Sequence, residues 1–236
     1  MRISAEKINW SVALGELSLI VVGILMALAI DSYVERREDQ AIADQYLADM
    51  VVELQTDAEH LAQSHNRIGG LIDAASHLLR VIETGEPHDD PGSLLVGAII
   101  GEGLTRQAAV WEELQVTGAL RLIPEQSART AIVTHYLRRA NQFKTIDENF
   151  IPAVRDLRAL AWDILPIDSF AQYFQSAQSG VPAATVVTRL QDREDAAYLL
   201  KRVIVTGTVA RLQLKSAAAS TAALLTELGL PSKSVI

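Results

Sequence analysis

The chain has 236 residues, with 21 Lys and Arg against 29 Asp and Glu, a net charge of −8 at pH 7, and no cysteine. That composition excludes disulfides, thiol catalysis, cysteine-ligated zinc and iron–sulfur clusters. It also argues against general nucleic-acid binding, which needs clustered cations to displace counterions. Apolar residues make up 49% of the chain and aromatics only 5%, so the positive mean hydropathy, +0.17, points to an apolar segment concentrated in one place.

That segment follows an N-terminal tail, residues 1–9. Trp10 to Ile30 reads WSVALGELSLIVVGILMALAI, and Glu16 is its one charged residue. A helix of this length spans roughly 30 Å, the thickness of the bilayer hydrocarbon core. Trp10 and Tyr33 flank the run, as aromatic residues do at membrane interfaces. Residues 10–31 therefore read as an uncleaved transmembrane helix. The competing readings are a buried soluble helix and a cleaved signal peptide. The second would need a basic leader, a shorter apolar core and a small-x-small site beyond it, but Ala27-Leu28-Ala29 lies inside the run. Arg2 and Lys7 before the segment nearly balance Arg36 and Arg37 after it. The orientation taken is N-terminus inside, with the large domain on the periplasmic side.

Glu16, Ile20, Gly23, Ala27 and Asp31 are spaced by fours and threes and share one helical face. Gly23-x-x-x-Ala27 is a small-xxx-small pattern that lets two helix backbones approach closely in lipid. A carboxylate at Glu16 is costly against lipid tails, so it faces a partner helix, reaches the headgroups or is protonated. The functional reading is a packing seam for a homo-oligomer or a partner membrane subunit. The plainer one is that Glu16 only marks the interface.

From Asp31 the chain runs to Ile68 without Pro or Gly, and Leu47, Met50, Leu54, Leu61 and Ile68 form a helical stripe. Gly69-Gly70 is expected to break or kink the helix, with its pattern resuming as LIDAASHLLRVIE. Residues 32–84 are thus a stalk or first bundle helix, and residues 85–236 hold the remainder of one helical domain. GEPHDDPG, from Gly85 to Gly92, is the clearest loop. SLLVGAIIGEGLT follows as a short helix ended by Gly101 or Gly103. A helix over 106–117 ends at Gly118, a left-handed cap, with Leu120 and Leu122 or Ile123 packing inward. Pro124 opens a helix to about Phe143, and a separate helix runs from about Asp147 to Asp163 with Pro152 near its start. Pro166 and the Ser179–Pro182 segment bound a short helix, and a last helix from Thr185 or Asp192 runs to Leu228. Strand alternation is absent. The fold class is all-α: an N-terminal transmembrane helix, then an antiparallel helical bundle whose first and last helices are long.

Motifs for chemistry are weak. Gly97-A-I-I-Gly101-E-Gly103 has the wrong spacing for a dinucleotide loop, and no phosphate loop, H-E-x-x-H or G-x-S-x-G occurs. His60 and His65 are five apart and do not share a face. His88-Asp89-Asp90 offers at best a loose cation site and reads as a solvated turn. Glu112 and Glu113 point apart, and the Arg138-Arg139 and Lys201-Arg202 doublets read as solvated or ion-paired faces. Phe143, Phe150, Trp162, Phe170, Tyr173 and Phe174 read as core, with a ligand pocket the minority alternative. No catalytic residue, metal or cofactor is expected.

Two blocks resemble a family of uncharacterised bacterial single-pass inner-membrane proteins. The first is GELSLIVVGILMALAIDSYVERRED, Gly15 to Asp39, followed by YLADMVVELQTD at Tyr46–Asp57. The second is WEELQVTGALRLIPEQSARTAIVTHY, Trp111 to Tyr136. The chain departs from the family pattern at Tyr33, where Trp is usual, and at Asp31-Ser32, where Asp-Asn or Asn-Asn is usual. The resemblance implies an N-terminal membrane helix and an α-helical domain but no known activity. It marks Glu16, Gly23, Ala27 and Asp31, and the helix-end residues Trp111, Leu114, Gly118 and Leu120, only as motif positions.

The expectation is a membrane-anchored, non-enzymatic interaction protein of the bacterial inner membrane. Its partners are the lipid bilayer, a second copy or a membrane subunit through the transmembrane helix, and a protein or small ligand on the helical domain. The alternatives are an accessory subunit of a transporter or respiratory assembly and a sensor-like ligand-binding bundle. The net charge of −8 excludes simple docking on anionic lipid as the means of attachment.

Overall fold

A computed structural model describes residues 10–101, 104, 106 and 108–229, with side chains from Leu14 onward. Among the described residues the fold is all-α, without strands. The helices are α1 (Trp10–Thr84), α2 (Pro91–Gly97), α3 (Ala109–Thr117), α4 (Gln126–Ile164), α5 (Ile167–Ser176), α6 (Ala183–Gln191) and α7 (Ala196–Glu227). A short 3-10 turn, Ala119–Leu122, joins α3 to α4.

α1 is one helix of 75 residues, about 110 Å long at 1.5 Å per residue. From Leu14 through the rest of the apolar run it is exposed on every side: none of its most apolar 18-residue window is buried. The charged stretch from Asp31 onward is largely exposed too, and the first fully buried residue is Ala43. From there α1 is a core helix. Gly69-Gly70 does not interrupt it. A glycine within a long, tightly packed helix costs only about 1 kcal/mol, and at Gly69 an added Cβ would only touch the Arg211 guanidinium, 3.4 Å away.

α7 lies along both α1 and α4. Its direction is opposite to theirs: Thr221 meets Asp57, while Gly207 meets Ile72. On α4, Ser220 meets His135 and Arg202 meets Asp156. α1 and α4 therefore run parallel, with α7 antiparallel between them. Gly207 marks a close crossing, where a Cβ would stand 2.9 Å from Ile72 Cγ1 and 3.1 Å from Phe150 Cε2. The backbones of α1 and α4 stand further apart from each other than either does from α7.

Two apolar cores fill the bundle. One runs from Leu61 up α1 and takes in Phe143 to Ile164 of α4 and Leu199 to Ala217 of α7. The other gathers Met50, Leu54, Leu114, Ile123, Ile132 and Leu224.

Three expected boundaries differ. The helices expected over 124–143 and 147–163 are one helix, Gln126–Ile164, with Pro152 inside it. The stripe Phe143, Ile146, Phe150, Ala153, Leu157 is buried without a gap, and its packing outweighs the roughly 3 kcal/mol an interior proline costs. Of the two starts expected for the last helix, Thr185 falls in a separate helix, α6, and α7 begins at Ala196, just beyond Asp192. The helix in 93–105 ends at Gly97; Gly103 lies outside the described residues. Trp162 and Phe174 are not core: they are 64% and 72% exposed.

Candidate functional site

The stripe Glu16, Ile20, Gly23, Ala27, Asp31 is exposed along its length, and an added Cβ at Gly23 would meet nothing within 4 Å. Nothing in the described chain packs on it. The helix-end motif lies elsewhere, in the lower core. Gly118 takes φ +67 and ends α3 in the left-handed region, where glycine carries no Cβ penalty. Leu114 is fully buried, and Trp111 stacks on Tyr136 with ring centroids 4.9 Å apart. After Gly118 the residues that pack inward fully are Ala119 and Ile123, while Leu120 and Leu122 are half-buried. The two motif sets are thus not brought together.

What sequence reading missed is a layer of buried polar side chains between the two apolar cores. Glu53 and Asp57, four apart on α1, point into the wide gap facing α4. Glu53 accepts from the Tyr136 hydroxyl at 2.8 Å and from the Val110 backbone N–H at 2.8 Å. Arg139 donates to Asp57 in an ion pair closed from solvent, and the Asp57 side chain is 0% exposed. Thr221 of α7 approaches the other Asp57 oxygen at 3.5 Å. The Arg139 guanidinium also lies over the Phe143 ring, 5.4 Å from its centre. The signal for this layer was present as i, i+4 carboxylates on an otherwise apolar stripe. A buried charge needs a buried partner, but the partner sits more than 80 residues away on another helix.

The electrostatics follow from enclosure. Burial raises the Asp57 carboxyl to about 6 against the opposing pull of Arg139. Burial, then the Arg139 charge, lowers His135 to about 4. Burial and the bond to Glu53 push the Tyr136 hydroxyl well above its ordinary range. His135 Nδ1 pairs with Ser220 Oγ at 3.0 Å, and its buried Nε2 has no hydrogen-bond partner. This pair borders an open groove between α4 and α7 of about 670 Å³. Both residues sit inside helices whose backbone N–H groups are committed to the helix ladder.

Asp90 of the 85–92 loop is not a solvated turn residue. It caps α2 through the Ser93 N–H at 3.0 Å and accepts from the Ser179 backbone N–H at 2.7 Å and from the Ser179 hydroxyl. Burial would raise its carboxyl, but the Ser179 and Ser93 bonds outweigh it and hold the pKa below the ordinary value. The loop is thereby stapled to the α5–α6 connection. No group of three His, Asp or Glu side chains converges as a metal cage among the described residues.

The same α1–α4 gap, above the polar layer, opens into a pocket of about 270 Å³ lined by both helices and by Ile100, Gly101 and Leu104. No protein-family model, curated protein or solved structure matches the chain.

Proposed function

We propose that the chain is a single-pass protein of a bacterial inner membrane whose helical domain, on the periplasmic side, works by binding rather than by catalysis. The observation that carries this reading is the change of character along one helix. α1 is apolar and exposed on all faces from Leu14 to Ile30, charged and largely exposed to Ile42, and buried in a core from Ala43. An exposed apolar face of that length in water would be an aggregation site; lipid satisfies it. A continuous helix also fixes the bundle to the membrane without a flexible linker. The bacterial inner-membrane assignment rests on the resemblance of the two sequence blocks, and the binding role on the bundle's interhelical pocket and grooves.

Membranes from cells making the full chain test the anchor. Alkaline carbonate should leave the chain in the pellet, and release into the supernatant overturns the reading. Protease added to spheroplasts should digest the helical domain, and protection would place it inside. Glu16, with no partner in the described chain, favours one second reading: a subunit of a larger membrane complex. Pull-down from native membranes separates the two, because a stoichiometric partner supports the complex and a homo-oligomer alone opposes it.

A further inference from the structure

The pocket between α1 and α4 has a composition unlike the chain around it. α1 presents Ser64, Arg67, Ile68 and Leu71 at helical spacing. α4 presents Phe150, Ile151, Val154, Arg155 and Arg158 in the same way. Among the described residues that line it are three arginines and no Asp or Glu, in a chain that carries 29 acids to 21 Lys and Arg. Between the arginines the wall is aliphatic and aromatic. Arg158 donates Nη2 to the Ile99 carbonyl at 2.8 Å, which fixes its guanidinium at the wall and leaves the rest of its fork for an anion. Arg155 approaches Asp156 only at 4.0 Å, and that carboxylate is taken by Arg202 at 2.6 Å.

We propose that this pocket binds a small amphipathic acid, its apolar body between Leu71, Ile100 and Phe150 and its carboxylate held by Arg155 and Arg158. The volume, about 270 Å³, lies just under the usual range for ligand pockets, roughly 300–1,000 Å³, and so favours a short acid over a whole lipid. Planar guanidinium groups match a carboxylate bidentately, and an uncharged ligand would gain no charge-assisted bond from Arg155 or Arg158. The proposal deepens the binding role given above by naming a ligand class, and it is independent of the membrane anchor.

Octanoate is the probe, titrated calorimetrically into the full chain in zwitterionic lipid nanodiscs, with empty discs as baseline. The expected result is saturable one-site binding above the baseline. Octanol, without the charge, and acetate, without the apolar body, should each bind at least about tenfold more weakly, as the loss of a charge-assisted bond or of several buried methylenes implies. Arg155→Gln, at an exposed position, and Arg158→Gln should each weaken octanoate about tenfold. Ile151→Trp, filling the pocket from its exposed edge, should remove binding while leaving the far-ultraviolet dichroism unchanged. Absence of saturable binding overturns the proposal, as does octanol binding as tightly as octanoate or an unaffected Ile151→Trp variant. A chain that stays in water yet binds octanoate leaves this proposal standing while the anchor fails. A chain that enters discs without binding does the reverse.

Discussion

Asp57 and His135 sit on neighbouring helices and respond to acid in opposite senses. The folded-state pKa of Asp57 is about 6 against an ordinary 3.8. Between those values the folded chain holds a proton that the unfolded chain has released, so this group adds stability as the pH falls through 6. His135 is held near 4 against an ordinary 6.5. In that window the unfolded chain takes up a proton that the folded chain refuses, so this group removes stability as the pH falls from 6.5. The shifts are similar in size, and the two effects offset one another in the native protein. Each substitution uncovers the remaining group. Asp57→Asn should make the bundle less stable at pH 4 than at pH 7, and His135→Gln should make it more stable at pH 4, each by on the order of 2 kcal/mol relative to wild type. Urea midpoints read by circular dichroism across that pH range give the slopes. Slopes of the same sign for both variants would sink the idea. Above pH 6 the Asp57→Asn change also replaces the ionised partner of Arg139 with an amide, which moves that variant's absolute stability, so only the slope is diagnostic.

Among the helices, two glycines with the same local propensity have opposite packing. Gly70 of α1 is exposed, and an added Cβ would meet nothing within 4 Å. Gly207 of α7 sits where Ile72 and Phe150 close in from both sides. Gly70→Ala should therefore stabilise the fold by up to about 1 kcal/mol through helix propensity. Gly207→Val should cost about 1–3 kcal/mol or more through overpacking. Thermal midpoints moving the same way for both would contradict the packing assigned to α7. The contrast also explains what could be read from the residues alone. The end of α1 near Thr84, the cap at Gly118 and the apolar stripes follow from local chemistry. The unity of α4 does not, because Pro152 and the polar Asn141–Thr145 stretch look like boundaries until the buried stripe from Phe143 to Leu157 is seen packed on α7. The Glu53–Asp57–Arg139 layer and the arginine-lined pocket needed the register between α1 and α4, which no single helix contains.

The whole molecule is governed by the length and continuity of α1, and this decides how two copies can pair. If two membrane-anchored chains paired along Glu16, Ile20, Gly23, Ala27 and Asp31, their backbones would be closest at Gly23 and Ala27. Ala43, where the bundle begins, is 20 residues beyond Gly23, or about 30 Å along the axis. At the right-handed crossing of about 40° typical of small-xxx-small pairs, the two axes have separated by a further ~20 Å at that height. That separation would let the two bundles diverge without a bend in α1. A crossing of about 20° would give half that space, so the close approach that glycine permits would favour pairing on a rigid stalk. Gly23→Ile should shift the full chain in detergent from oligomer towards monomer in sedimentation velocity, because a branched side chain holds the backbones apart. Gly15→Ile is the control. Gly15 is equally open, with nothing within 4 Å of an added Cβ, but it lies off the stripe, so the same substitution there should leave the sedimenting species unchanged. An oligomer that survives Gly23→Ile, or that is lost equally in both variants, removes the seam and returns Glu16 to a marker of the lipid interface.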